Sequence, residues 1–485
     1  MTLFLPRFER RNLLRCLTAM TLSLLLGLAP MHAARADMQF DFGGFSIEDE
    51  RELGEEFNII IRSSMPMVED PEITGYVEDI TESLLEVMPQ LYFEVKTGII
   101  RHNSVNAFAG PGGHLFINSG VILNFEHESE LAGVLAHELA HVSQRHLAER
   151  MENAQTASLI ALAGVLAGMA LGSQVGGDNA ANLGGGLAVG SMAAAQAAML
   201  SYSRENERDA DNVGLNYMID AGYRPQGLLG AMNNIQRMRW YSGGEIPAYL
   251  TTHPDVDERI DYLDARINQL PSELTSRQDD DTRFLKVQTL LRARYTEPET
   301  ALQYFQSEQA DACLGLMGQA IAHDRMSNIS LAREHFAQAQ ECLGDDPLLF
   351  REMGRFYFTI GEFGDASYFL QRALVQNPDD LMAMFFLARL LGEQGDQENS
   401  ALYFKRILRV LPQDPEVHYY YGRVLGEGGE LFEAHLHLAY SAVYANDAGQ
   451  AEYHMDKAER LAESEDDTQA YERLEKAYTK RSEYW

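Results

Sequence analysis

The sequence predicts an α+β chain, mostly helical, in two parts: a mixed domain with a small sheet, then an all-α solenoid of stacked helix pairs. Three observations predict it. Strand-like alternation at 91–100 and 114–122 sits among helical stretches in the first part. A 34-residue period governs the second. The polar run 271–283 separates the two patterns.

In chain order, residues 1–36 read as a cleaved secretory signal. Arg7, Arg10, Arg11 and Arg15 precede the apolar stretch 17–31, and Ala34-Arg35-Ala36 supplies a small-x-small cleavage site, with cleavage after Ala36. The apolar stretch is short for a bilayer span. Cys16 precedes it instead of ending it, which argues against a lipoprotein anchor. The full chain carries 39 basic and 72 acidic side chains, a net charge of −33. Removing the signal leaves 34 against 71, near −37. So acidic a body argues against nucleic acid or anionic lipid as the main partner.

Residues 46–63 and 72–88 read as helices, the first capped by Ser46. Pro111-Gly112-Gly113 turns the chain into the second strand, and a helix follows over 128–150. In the second part Gly354, Ala388 and Gly422 are 34 residues apart, as are Gly361, Gly395 and Gly429, then Ala366, Ser400 and Ala434, and Pro378 and Pro412. Small residues at packing positions and a closing Pro at this period are the tetratricopeptide signature. Ala332 extends the register back to a degenerate unit. Cys313 and Cys342 would face each other across that unit's helix pair, turning near Ser327. A disulfide is the preferred pairing, against two buried free thiols.

The chemistry lies in His137-Glu138-Leu139-Ala140-His141. Residues four apart share a helix face, so both imidazoles can hold one tetrahedral ion, with Glu138 beside them to take a proton from metal-bound water. Leu131, Val134, Leu135 and Val142 bury this helix, and a buried group of imidazoles and carboxylate needs a compensating charge. Gln144 and Leu147 exclude a third histidine on the same strip, and His146 falls about half a turn away. The third ligand is therefore sought in the acidic stretch 203–211. Glu207 is the economical ligand there, Asp211 the acceptor for a ligand imidazole N–H, and Glu205 the alternative.

These motifs, with Tyr202-Ser203-Arg204 before Glu207, the stretch 106–113, and His253-Pro254 with Arg259, resemble the Ste/Oma/HtpX group of gluzincin peptidases. A signal segment and a C-terminal repeat array narrow the resemblance to its periplasmic members. It implies one Zn2+ per chain, a gluzincin-type metalloprotease fold and endopeptidase activity in the periplasm. The implied substrates are misfolded or unassembled outer-membrane proteins, and the implied partner of the repeats is the outer-membrane assembly machinery. Pro254 holds His253 extended before a helix. Two roles stand open for it, stabilising an oxyanion or occupying the open zinc position at rest. Arg259 either assists the first or pairs with a carboxylate of the site. The residues Gly113, His114, Leu115, Phe116, Ile117 and Asn118 are expected to form an edge strand to which an extended substrate pairs.

The Ala/Gly-rich segment 154–200, with Gly164, Gly168 and Gly172 four apart, reads either as a membrane-touching excursion or as a buried hairpin. The expected division is a signal at 1–36, a zinc metalloprotease domain at 37–272, a linker at 273–283 and repeats at 284–485. A rival reading is a chaperone or adaptor whose peptidase site is normally shut.

Overall fold

The computed structural model describes residues 46–153, 202–241 and 248–483. The expected signal segment and the segment 154–200 lie outside them. Helices α1 (Ile47–Ser64) and α2 (Pro71–Leu85) start on strong signals. Ser46 and Asp49 form a reciprocal capping box, and Asp70 caps α2 with Pro71 in its first turn.

The sheet has three strands, β1 (Lys96–Ile100), β2 (Ala107–Ala109) and β3 (His114–Asn118), in the order β1-β3-β2. β3 runs parallel to β1 and antiparallel to β2. The expectation for 113–118 is therefore corrected: Gly113 ends the turn, and His114–Asn118 form the central strand, paired on both sides, which cannot accept a further strand. The covering element is β2, three residues long, which the 111–113 turn folds back onto β3. So short a segment has no periodicity to read. Because Asn106 and Gly110 bond to β3, the backbone groups of Ala107 and Ala109 point the other way. The strand expected over 114–122 stops at Asn118, and α3 (Ser119–Asn124) takes the rest.

Helix α4 (Glu128–Ser143) is fully buried from Ser129 to His141 and packs between α6 (Arg204–Asp220) and α7 (Gln226–Tyr241). The single helix expected over 128–150 is broken: Arg145 adopts φ 55°, and the chain restarts as α5 (His146–Asn153). Gly214 lets α6 approach α4 closely, since a Cβ there would meet Ala136 O at 3.0 Å. Short α8 (Ala248–Thr252), α9 (Val256–Ile267) and α10 (Ser272–Thr275) complete this part.

The charged run is pinned. Asp281 accepts from the Glu128 N–H at the start of α4 (2.8 Å) and contacts His127 at 2.7 Å. Phe284, Val287, Leu290 and Leu291 of α11 (Thr282–Tyr295) join the same hydrophobic core as Leu131 and Leu135. After α12 (Pro298–Phe305) come the helix pairs: α13 (Ala312–Arg325) with α14 (Ile329–Leu343), α15 (Pro347–Thr359) with α16 (Phe363–Gln376), α17 (Leu381–Glu393) with α18 (Gln397–Val410), and α19 (Pro415–Glu427) with α20 (Leu431–Tyr444). The periodic Gly361, Gly395 and Gly429 sit at φ 80°, 81° and 90° between the helices of a pair, a conformation that favours glycine. Cys313 and Cys342 join α13 to α14 by a disulfide, with Cα atoms 5.5 Å apart. Helices α21 (Ala448–Leu461) and α22 (Glu465–Ser482) close the array, and Lys480 reaches Glu55 of α1 at 3.1 Å. Among the described residues no helix is long and apolar enough to cross a membrane.

Candidate metal centre

Helix α4 presents His137 and His141 on one face, as their spacing requires, with Nε2 atoms 3.1 Å apart. Ser203 and Asn206 cap the start of α6 reciprocally, which sets its register against α4. Glu207 then comes within 3.5 Å of His137 Nε2 and 3.6 Å of His141 Nε2. His253, on the turn between α8 and α9, brings Nδ1 to 3.3 Å from His137 Nε2 and 2.9 Å from Glu207 Oε1. One ligand atom from each of the four lies within 4.8 Å of the others, and all four side chains are buried.

The donor set fits a metal on two independent counts. Zn–N bonds of about 2.0–2.1 Å imply tetrahedral ligand-to-ligand separations of about 3.3 Å, close to those found. Burial also encloses three carboxylates, Glu138, Glu207 and Asp211, against one guanidinium, Arg259. With neutral imidazoles, a divalent cation closes that balance.

Around the four, each sequence-predicted residue has a place. Asp211 Oδ1 sits 2.9 Å from His137 Nδ1, which fixes the imidazole with Nε2 toward the cluster. Arg259 donates from Nε and Nη2 to Asp211 at 2.8 and 2.7 Å and contacts Glu207 at 2.6 Å, so it pairs with carboxylates of the site. Burial raises the Asp211 carboxyl, but Arg259 and His137 outweigh it and hold the group down at about 2. Burial likewise opposes ionisation of Glu207, and His253 and Arg259 reverse it, leaving the group well below its usual range. Glu138 Oε2 accepts from the Ala109 N–H of β2 at 3.1 Å. Its Oε1 faces His253 Nε2 at 3.3 Å, and neither atom makes a hydrogen bond among the described residues. Glu205, the alternative ligand, is outside the cluster.

Three residues escaped the sequence reading. His146 was set aside as half a turn away on a continuous helix. The break at Arg145 instead brings its Nδ1 to 3.0 Å from His141 Nδ1, on the side turned away from the other ligands. Tyr202 stacks on His141 at 3.7 Å, and Tyr249 stacks on His253 at 4.3 Å with its buried hydroxyl unpartnered among the described residues. Tyr202 stands in the Tyr-Ser-Arg motif, and Tyr249 is four residues before His253. Spacing therefore offered a signal for both, but nothing for His146.

Residues 71–267 match the model of Peptidase family M48. The chain is 27% identical to a "Beta-barrel assembly-enhancing protease" of Yersinia pestis over 419 residues, 77% of this chain and 84% of that protein. It is 29% identical to a protein of the same name in Escherichia coli (strain K12) over 287 residues, 58% of this chain and 57% of that one, little more than half the relative's length. The "Mitochondrial metalloendopeptidase OMA1" of Schizosaccharomyces pombe is 30% identical over 210 residues, 43% of this chain and 56% of that one.

Proposed function

From a chain that carries a peptidase family M48 domain and is a metalloendopeptidase, we propose a zinc-dependent enzyme exported to the periplasm, where it degrades misfolded or unassembled outer-membrane proteins. His137, His141 and Glu207 hold the metal in this reading, and the repeats bind substrate or the assembly machinery. The observation that carries it is the convergence of four buried ligand atoms beside the unpartnered Glu138 Oε1.

When bound, zinc lowers the pKa of a coordinated water to about 7 and polarises the scissile carbonyl. Glu138 is the general base: Oε2 is anchored by the Ala109 N–H, and Oε1 is left to take a proton and return it to the leaving amine. Asp211 and Arg259 keep His137 and Glu207 oriented. An extended substrate adds to β2, where Ala107 and the Ala109 carbonyl turn away from β3, the Ala109 N–H being held by Glu138. Main-chain pairing of this kind suits unfolded β-segments and demands little of their sequence.

His253 favours a second reading of the same site, as a protease shut at rest. Its Nδ1 fills the fourth position of the cluster, and catalytic zinc sites keep that position open. In this state the chain acts through binding, and substrate must displace His253. His253→Ala is then expected to raise casein cleavage, whereas a role at the oxyanion predicts a large loss.

The test is zinc content measured beside casein cleavage for the mature wild type, Glu138→Gln and Glu207→Ala. One zinc in the wild type, zinc retained but cleavage down by 10²–10⁴-fold in Glu138→Gln, and zinc lost in Glu207→Ala are expected. A wild type without zinc would sink the reading.

A further inference from the structure

The repeats treat two sets of arginines differently. On the second helices of the pairs, Arg372 and Arg406, 34 residues apart, close ion pairs with Asp345 and Asp379, also 34 apart, at 2.6 and 2.8 Å. On the first helices, Arg355, Arg389 and Arg423 occupy one position of three successive repeats, and Lys457 stands 34 residues further on. The guanidinium groups of Arg355 and Arg389 make no ion pair and no hydrogen bond among the described residues.

They lie on aromatic rings instead. Arg355 is 5.1 Å from the centroid of Phe386. Arg389 is 3.9 Å from Tyr420, 4.8 Å from Phe358 and 5.5 Å from the same Phe386. Cation and ring thus alternate from one repeat to the next. Arg423 is exposed and, among the described residues, pairs only with Glu427 of its own helix, at 3.4 Å. Lys457 lies over Tyr453, which is 54% exposed, as is Tyr419 at 45%, one repeat earlier. Glu393 and Glu416 stand near Arg389 without closing a pair. Burial, then the neighbouring Arg294, pushes Arg355 down to about 10, with Glu352 and Asp70 pulling the other way. The ladder faces the N-terminal domain, since Arg351, one turn before Arg355, is 3.8 Å from Glu72 of α2.

We propose that this side of the repeats binds an extended acidic segment of a protein, with carboxylates on Arg389 and Arg423 and the ends of the segment toward Arg355 and Lys457. Guanidinium forks match carboxylates in two-point geometry, and the rings between them accept the intervening side chains. Neighbouring helices pack about 8–10 Å apart and an extended chain rises about 3.3 Å per residue, so an acid at every third position keeps step with the rungs. In a chain of net charge −33, a line of cations that close no ion pair beyond their own helix among the described residues is a local exception with a matching ligand class. The inference deepens the reading of the repeats as the protein-binding part.

The experiment uses mature, full-length Glu138→Gln protein and a fluorescein-labelled dodecapeptide with glutamate at every third position, beside its glutamine counterpart, read by fluorescence anisotropy. The glutamate peptide is expected to bind at least tenfold tighter. Arg389→Gln is expected to lose about tenfold and Arg389→Lys less, while Arg372→Gln on the outer helices changes nothing. Should Arg389→Gln fail to fold by circular dichroism, Arg423→Glu at the exposed rung reads the same loss. Equal binding of the two peptides, or equal losses from Arg372→Gln and Arg389→Gln, would overturn the proposal. Zinc content and casein cleavage of the otherwise wild-type enzyme report on the peptidase site separately, so either reading can fail alone.

Discussion

Two clusters of buried charge lie in this molecule, and they close in different ways. At the junction of the two parts, Glu352 accepts from Arg294 Nε at 3.0 Å and from Arg351 at 3.0 Å, and Arg351 also lies 3.9 Å from Asp380. Arg294, Arg351, Glu352 and Asp380 there each have an oppositely charged neighbour within the protein. The cluster around His137 holds three carboxylates and one guanidinium. Its excess of carboxylate is met by protons on its own imidazoles, or by a divalent cation that would take their place. Burial and Arg259 oppose a proton on His137, but Asp211 and Glu207 outweigh them and push the group up to about 9. Burial alone therefore does not mark a functional site; a carboxylate excess offset only by titratable imidazoles does.

The largest effect that could break this contrast is metal removal. Stripping the wild type with a chelator is expected to lower Tm by roughly 5 °C or more, because a ligand bound only by the folded state stabilises it by mass action. Glu207→Ala is expected to lose at least a thousandfold in cleavage and to show no further response to chelator in a thermal melt. An unchanged wild-type Tm would place both clusters in the same self-sufficient class. Next comes Glu352→Gln, which leaves Arg294 and Arg351 buried against too little charge and is expected to cost about 3–5 kcal/mol in urea unfolding, with metal binding retained. The same cluster sets a pH dependence. Burial raises the Glu352 carboxyl, but Arg294 and Arg351 outweigh it and depress the group to about 2. A depressed folded pKa contributes stability that is fully present above the unfolded value near 4.5 and drains away as pH falls toward 2. Urea midpoints of the wild type from pH 7 to 3, taken in chelator, should fall more steeply than those of Glu352→Gln; parallel curves would remove Glu352 as the cause.

What the sequence made legible followed from fixed periods. Four-residue spacing put His137 with His141 and Glu207 with Asp211, and 34-residue spacing placed the glycine turns of the repeats. What it hid depended on chain breaks and on elements too short to have a period. Arg145 in the left-handed region redirects His146 toward His141. β2, at three residues, takes the sheet edge expected of 113–118. The pairing of Arg351 with Glu72 and of Glu352 with Arg294 was also illegible, because each joins residues far apart whose charges look like ordinary surface positions.

The smallest effect concerns an exposed contact between the two parts, where Lys480 of α22 meets Glu55 of α1, which also holds Lys96 at 2.8 Å. Here the carboxylate is one-third exposed and Lys480 is 62% exposed. Water and salt screen such a pair, so Lys480→Ala is expected to cost under about 1 kcal/mol, far below Glu352→Gln, and to lose most of that in 0.5 M salt. Apolar packing carries the last helices instead, through Leu474 and Met455 against Phe432, Leu436 and Val443. Should Lys480→Ala equal Glu352→Gln in urea unfolding, the closure of the array onto α1 would rest on this clasp, and the distinction between buried and exposed charge drawn from the junction would fail at its outer end.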